Sequence, residues 1–421
     1  MKEIRSLTKL NATVTIPGSK SITHRAIIAA SLADGESLLK NFLKCEDTLY
    51  TVNALEKLGV DYSFDGEDLR VKGRGGAFLT AVTEKEIFLG NSGTSFRLLT
   101  SLFALGQGKF LMTGTSRMLQ RPIGPLVTAL NQLGVDAFCV NKDDCPPVLI
   151  NAEGIRGGSV NIAGDQSSQF LSSLLLSGPY AVNDIEIEIT GKLVSSPYVD
   201  ITTDVMKQFG VDVEHDDYKT FRVCSDQKYM PREFIIRGDA SSASYFWAAA
   251  AVTGGDVITK NIYPSVTRQG DIRFLQILQR MGADIKTEED RVIIHGGRLS
   301  GIDADMGSMP DMVPTLAAIA LFAEGKTTIR NVHHLRFKES DRLHCVALEW
   351  GRLGAHIEET DDGLTIYGGD SLKGAILDPH DDHRLAMSLA VVGLMVPGIK
   401  IKDEECVRKS FPKFWDMWDR L

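Results

Sequence analysis

The chain has 421 residues, 43% hydrophobic and 24% charged, with 55 acidic against 46 basic side chains and a net charge of −9. Such a length exceeds what one core usually serves, so two domains or a repeat array are expected, and the acidic balance argues against nonspecific nucleic-acid binding. The stretch MKEIRSLTKLNATVTI carries charges where a signal peptide needs an apolar core, and no 18-residue apolar run occurs, so a cytoplasmic protein is expected. Cys45, Cys139, Cys145, Cys224, Cys345 and Cys406 form no C-x-x-C pair and are too sparse for a disulfide scaffold; buried thiols are the expectation.

The first element is the strand-like ATVTI, broken by Pro17 and Gly18, after which Ser19 can cap an apolar run through Ala26-Ile27-Ile28-Ala29-Ala30. Lys20, His24 and Arg25 gather at this helix start with the hydroxyls of Ser19, Ser21 and Thr23. Unpaired N–H groups at a helix N-terminus attract anions, and Lys and Arg strengthen the preference; a solvated, capped helix end is the alternative. The same unit, a polar loop opening a small-residue apolar helix, recurs at GNSGTSFRLLTSLFALGQGKF, DQSSQFLSSLLLSGPY, GDASSASYFWAAAAVTGGDVI, DMVPTLAAIALFAEGKTTI and DDHRLAMSLAVVGLMVPGIKI, making six copies. Helices that are apolar nearly all round belong inside a domain.

Between them lie LEKLGVDYSF, LNQLGVDAFCV, MKQFGVDVEH, LQRMGADIKT and WGRLGAHIEE, each the end of an amphipathic helix, a Gly suited to the left-handed position after it, and a strand of alternating character. Gly59, Gly134, Gly210, Gly282 and Gly354 are spaced 75, 76, 72 and 72 residues apart. Six units of about 70 residues follow, each with two helices and several strands, grouped three and three. If the buried helices run parallel in each half, their polar loops converge on one surface, and two such surfaces face each other across a cleft lined with positive helix ends.

Several motifs carry candidate chemistry. Asn91, Gly93 and Thr94 precede Arg97; Arg117 and Arg121 precede Pro122; Ser167, Ser168 and Gln169 offer neutral groups for phosphate or hydroxyl recognition. Lys338 and Arg342 are four apart, so on one helix face they would repel unless an anion lies between them or Glu339 and Asp341 neutralise them. His380 and His383 in PHDDHR resemble metal ligands, but Arg384 would oppose a dication. AEGKTT lacks the first glycine of a P-loop, with Ala320 in its place.

Taken in order, PGSKSITHR, LGNSGTSFR, QRPIGPL, SSQFLSSLL, LVSSPYVDIT, GDASSASYF, KESDRL, DDHRLAMSLAVV and RKSFPKFW resemble the 5-enolpyruvylshikimate-3-phosphate synthase family of enolpyruvyl transferases from about residue 17 to 415. The resemblance implies an α/β fold, a two-domain inside-out α/β barrel of six βαβαββ-like repeats with buried parallel helices and outer sheets. It implies a discontinuous domain of residues 1 to 18 and 238 to 421, a domain of residues 19 to 237 inserted in it, and an active site in the cleft between. The implied reaction moves the enolpyruvyl group of phosphoenolpyruvate to the 5-hydroxyl of shikimate 3-phosphate and releases phosphate, with no cofactor and no metal; a monomer is expected.

Carried over residue by residue, the resemblance makes Asp311 the base toward the 5-hydroxyl and Glu339 the proton donor and acceptor at the enol methylene, with Lys20 sharing that role. Shikimate 3-phosphate is assigned Lys20, Ser21, Arg25, Ser167, Ser168, Gln169, Ser195, Asp311 and Lys338, with Tyr198 as a ring neighbour and His334 where some members carry Asn. Phosphoenolpyruvate is assigned Lys20, Asn91, Gly93, Thr94, Arg121, Gln169, Arg342, Arg384 and Lys409. The chain departs from other members at Ser95 and Leu98, where they read Ala and Pro. A related family that acts on UDP-N-acetylglucosamine usually places a reactive Cys before its Arg-Pro segment, and Gly114 to Pro122 contains none. A noncatalytic scaffold would have little use for two carboxylates and eight cations at loops and helix starts.

Overall fold

The computed structural model describes residues 1–7, 9–78 and 80–421. The chain divides into two compact units, Met1–Ser19 with Arg237–Leu421, and Lys20–Ile236. Among the described residues no helix is long and apolar enough to cross a membrane.

Lys20–Ile236 holds helices α1 (Lys20–Leu32), α2 (Glu46–Lys57), α3 (Gly93–Ala104), α4 (Gly124–Gln132), α5 (Ser168–Ser177) and α6 (Pro197–Gln208). The discontinuous unit holds α7 (Ala240–Thr253), α8 (Phe274–Met281), α9 (Val313–Ala320), α10 (Arg342–Gly351), α11 (His383–Met395) and the five-residue α12 (Phe414–Trp418). Odd-numbered helices are the small-residue, apolar ones, and nearly every residue of each is buried. Even-numbered helices bury one face, as their amphipathic spacing requires.

One wiring repeats. In the sheet of Gly158–Ala163, Ile185–Thr190, Thr220–Val223 and Glu214–Asp216, the first two strands run parallel with α5 as their crossover. The remaining pairs are antiparallel, with Ile187 opposite both Val160 and Phe221. Among the described residues five four-stranded sheets share this order. Around the two crossovers each strand pairs within its own compact unit: Asn11–Thr15 with Asp256–Lys260, and Glu233–Ile235 with Glu36–Lys40. Gly18 and Gly238 bridge where the two crossing segments meet. The sixth unit is shorter than the repeat length predicts. Its sheet has three strands, because Lys2–Glu3 pairs antiparallel with Lys400–Ile401 where the other units return a late strand of their own.

Each unit has its own apolar core, and the small side chains let its odd-numbered helices touch. In the discontinuous unit, the Thr315 hydroxyl on α9 lies 3.5 Å from that of Ser244 on α7 and 3.5 Å from that of Ser388 on α11. In the other, Ser173 of α5 donates to Ser101 of α3 at 2.8 Å. A large residue at such a position would force helices apart; overpacking of this kind typically costs about 1–3 kcal/mol.

All five repeat glycines have positive φ, from 83° at Gly134 to 117° at Gly282. Each ends an even-numbered helix where a β-carbon would be strained, and the helix end is therefore fixed by sequence.

Candidate active site

The predicted site residues fall into two sets, one in each unit. In Lys20–Ile236, α1 opens directly at Lys20, whose Nζ lies 2.9 Å from Asp47 Oδ2 in the first turn of α2, with both side chains buried. Arg25, one turn into α1, donates from Nε to Thr202 Oγ1 at 2.7 Å, from Nη1 to the Ser21 carbonyl at 2.9 Å and from Nη2 to the Tyr198 carbonyl at 3.2 Å. Burial lowers Arg25 to about 10, which still leaves it charged at neutral pH. The loop into α6 carries Ser195 at φ 55°, and its hydroxyl is buried, with no hydrogen-bond partner among the described residues.

A second cluster in this unit joins the starts of α3, α4 and α5. Ser92 caps α3 by accepting from Ser95 N, and Ser167 caps α5 by accepting from Gln169 N. Arg97 donates to Gln169 Oε1 and the Pro122 carbonyl, each at 3.0 Å, and Gln169 donates to Thr94 Oγ1 at 3.0 Å. Arg121 is buried and donates from Nη1 to the Asn91 carbonyl at 2.9 Å. Gly93 makes this possible: a β-carbon there would lie 2.4 Å from Arg121 Nη2. Ser168 is buried at the first position of α5, and Arg117 is half-buried nearby in sequence. The departure at Ser95 has a structural use, because its hydroxyl donates to the Asp47 carbonyl at 2.9 Å and so ties α3 to Lys20's partner.

In the discontinuous unit the charged residues form one network. Arg342, the first residue of α10, is buried and donates from Nη1 to Asp311 Oδ1, from Nη2 to Glu339 Oε2 and from Nε to Asp382 Oδ2, all at 2.8 Å. Arg384, at the start of α11, donates from Nη2 to the other Asp311 oxygen at 2.6 Å. Burial works against the charge of Asp311, yet Arg384, Arg342 and Lys338 outweigh it and hold this carboxyl well below the usual range. Burial likewise opposes the Arg342 charge, but Asp382, Glu339 and Asp311 hold the guanidinium protonated more firmly than usual. His334 is buried, and desolvation with the nearby Lys338 charge lowers it to about 3, so it stays neutral. Lys409 is buried at the end of the 3-10 helix Glu404–Lys409, which packs on α11.

One expectation needs correction. Lys338 and Arg342 do not share a helix face: Asp341 caps α10 by accepting from His344 N at 3.1 Å, so Lys338 precedes the helix in extended backbone. Of the two proposed neutralising groups, Glu339 does bond Arg342, whereas Asp341 pairs with Arg336 at 2.9 Å. The two histidines of PHDDHR also part company. His380 bonds Glu349 at 3.0 Å, His383 is buried in the first turn of α11, and no three His, Cys, Asp or Glu side chains gather as metal ligands among the described residues.

Four polar residues of these networks were not singled out from the sequence: Asp47, Thr202, Asp382 and Asp271. The last is a buried carboxyl that accepts from Ser241 Oγ and has no partner on Oδ1 among the described residues; burial, with Asp311 nearby, pushes it up to about 7. Only Asp382 carried a signal, as the residue before a helix start in a motif already noticed.

The family model for EPSP synthase (3-phosphoshikimate 1-carboxyvinyltransferase) matches residues 4–418. A 3-phosphoshikimate 1-carboxyvinyltransferase of Shewanella denitrificans is 45% identical over 415 residues, covering 98% of this chain and 96% of the relative. One of Aliivibrio salmonicida is 44% identical over 421 residues, covering 99% and 98%. The solved EPSP synthase of Acinetobacter baumannii superposes with a TM-score of 0.82 at 28% identity, over 99% of this chain and 97% of that one. The enolpyruvyl transferase NikO of Streptomyces tendae, at 19% identity and a TM-score of 0.79, shares the fold over 99% of this chain and 96% of its own. These matches support the shikimate 3-phosphate reading and not the sugar-nucleotide one. The chain belongs to the EPSP synthase (3-phosphoshikimate 1-carboxyvinyltransferase) family.

Proposed function

We propose that the two residue sets together carry the family's reaction, transfer of the enolpyruvyl group of phosphoenolpyruvate to the 5-hydroxyl of shikimate 3-phosphate. The observation that carries this reading is the contact of Asp311 and Glu339 with the same buried guanidinium, Arg342. A base and an acid are thereby held beside cations suited to an anionic substrate. In this reading Asp311 takes the 5-hydroxyl proton as its oxygen bonds C2 of phosphoenolpyruvate, and Glu339, with Lys20, protonates C3. The tetrahedral intermediate then loses phosphate from C2, the C3 proton returns to Glu339, and the enol ether forms.

Lys20, Ser21, Arg25, Ser167, Ser168, Gln169, Ser195 and Lys338 hold shikimate 3-phosphate. Asn91, Gly93, Thr94, Arg121, Arg342, Arg384 and Lys409 hold phosphoenolpyruvate, with Lys20 and Gln169 touching both. Each substrate carries a phosphate and a carboxylate, so binding the two together requires such a concentration of positive charge. The enzyme works as a cytoplasmic monomer. Phosphate release from phosphoenolpyruvate is expected to require shikimate 3-phosphate; release with UDP-N-acetylglucosamine alone would overturn the reading. Sedimentation at one protomer mass, with and without substrates, tests the monomer.

A further inference from the structure

The segment Asp378 to Arg384 has an unusual backbone. His380 and Asp381 are consecutive residues with φ of 53° and 55°, and neither is glycine. Left-handed conformations of ordinary residues persist only where their surroundings over-determine them. Here one helix, α10, together with Ser340 just before it, holds the segment at both ends. Its first residue, Arg342, holds Asp382 through Nε at 2.8 Å and Nη2 at 3.3 Å, and Ser340 just before it donates to Asp382 Oδ2 at 3.1 Å. Seven residues on, two turns along the same face, Glu349 reaches the other end of the segment. Its carboxylate is fully buried, accepts from Asp378 N at 2.9 Å through Oε2 and meets His380 Nε2 at 3.0 Å through Oε1. Arg352 lies 3.6 Å from the same carboxylate. The segment is thus laced to α10 at both ends, and it delivers Asp382, which caps α11 by accepting from Arg384 N at 3.0 Å.

We propose that Glu349 is a positioning residue for phosphoenolpyruvate binding, acting through His380 and the Asp378 amide to hold the strained segment from which Arg384 reaches Asp311. A burial this complete is costly for a carboxylate without partners, and here the partners are all either in the segment or in α10's own last turn. The sequence alone hides the link, because Glu349 reads as an ordinary polar residue on an amphipathic helix. The inference rests on the assignment of Arg384 to phosphoenolpyruvate.

The test uses the full-length enzyme and compares Glu349→Ala, Glu349→Gln, His380→Ala and Arg384→Lys, reading the KM for phosphoenolpyruvate, kcat, the binary affinity for shikimate 3-phosphate, and the melting temperature. Glu349→Ala is expected to raise the phosphoenolpyruvate KM about tenfold, since small displacements of a charged clamp are expensive. Shikimate 3-phosphate affinity should stay within about twofold, and Glu349→Gln, which keeps an acceptor for the Asp378 amide, should recover part of the loss. His380→Ala removes a half-buried ring and gives the same selective rise even if Glu349→Ala fails to fold. An unchanged phosphoenolpyruvate KM in both Glu349→Gln and His380→Ala, or equal weakening of both substrates, overturns the inference. An unchanged phosphoenolpyruvate KM in Arg384→Lys would instead overturn the site assignment beneath it.

Discussion

Arg384 Nη2 lies 2.6 Å from Asp311 Oδ2, and Arg342 Nη1 lies 2.8 Å from Oδ1 of the same carboxylate. A base gripped at both oxygens is a weak one, so anionic substrate must draw at least one guanidinium away before Asp311 can accept a proton. Asp311→Asn is expected to lower kcat by about 100-fold or more, the usual contribution of a positioned general base. Phosphate release at saturating substrate measures it. The same pairing predicts a pH effect on folding. Because the folded carboxyl titrates below the unfolded one, its ion pairs stabilise fully above the ordinary value of about 3.9, and that stability is lost as pH falls toward the depressed one. Melting temperatures between about pH 5 and 2 should fall more steeply for the native chain than for Asp311→Asn.

Glu339→Gln tests the second carboxylate separately. Glutamine can still accept from Arg342 Nη2, so the 2.8 Å contact survives and both substrates should bind with little change. What is lost is the proton delivered to C3, and kcat should drop by about 100-fold. Undiminished turnover would remove Glu339 from the chemistry and leave it a structural partner of Arg342.

Much of the fold could be read from local signals. The glycines that end the even-numbered helices and the small-residue pattern of the odd-numbered ones are both consequences of steric limits that act within a few residues. The shortened sixth unit was not legible, because its sheet is completed by Lys2–Glu3, almost 400 residues away in sequence. The site shows the same division. Cations at helix starts announce themselves as residue types in capped loops, but Lys20's bond to Asp47, Arg25's to Thr202 and Arg342's to Asp382 depend on which distant elements pack together. Lys338 failed as a helical neighbour of Arg342 because a local cap, Asp341, started the helix at Arg342, four residues after Lys338.

Gly93→Ala separates substrate binding from stability. The backbone of Gly93, the first residue of α3, has no positive φ and needs no glycine, and alanine there keeps part of an advantage that reaches about 1 kcal/mol in a helix interior. The added β-carbon, however, would sit 2.4 Å from Arg121 Nη2 and 2.7 Å from Cζ, so the guanidinium must move. The melting temperature should hold or rise slightly while the KM for phosphoenolpyruvate increases about tenfold. A KM unchanged from the native value would place Arg121 away from that substrate.

Thiol chemistry gives a further check. Burial pushes Cys45 up to about 11 and both Cys139 and Cys345 up to about 12, so near pH 8 all three are protonated and unreactive. Disulfide-exchange reagents at that pH should therefore leave these three thiols untouched in the folded enzyme and titrate them once denaturant is added. Rapid labelling of any of them in the native state would contradict the packing around α2, α10 and the strand Asp136–Cys139.

Arg25→Lys probes the binding of shikimate 3-phosphate. The guanidinium spans from α1 to α6 through three donors, and an ammonium at the end of a shorter, rounder group cannot meet Thr202 Oγ1 and the Ser21 and Tyr198 carbonyls together. At least one acceptor in this buried place then loses its partner, at a cost of about 1–3 kcal/mol, so the melting temperature should fall. The first turn of α6 and the neighbouring Ser195 hydroxyl would lose their fixed distance from α1. The affinity for shikimate 3-phosphate should weaken about tenfold, because the charge remains but the fork that set its direction is gone. The KM for phosphoenolpyruvate, whose assigned contacts in this unit centre on Arg121, should change far less. Isothermal titration with each substrate resolves the two effects, and equal losses for both would show that Arg25 supports the unit as a whole without selecting shikimate 3-phosphate.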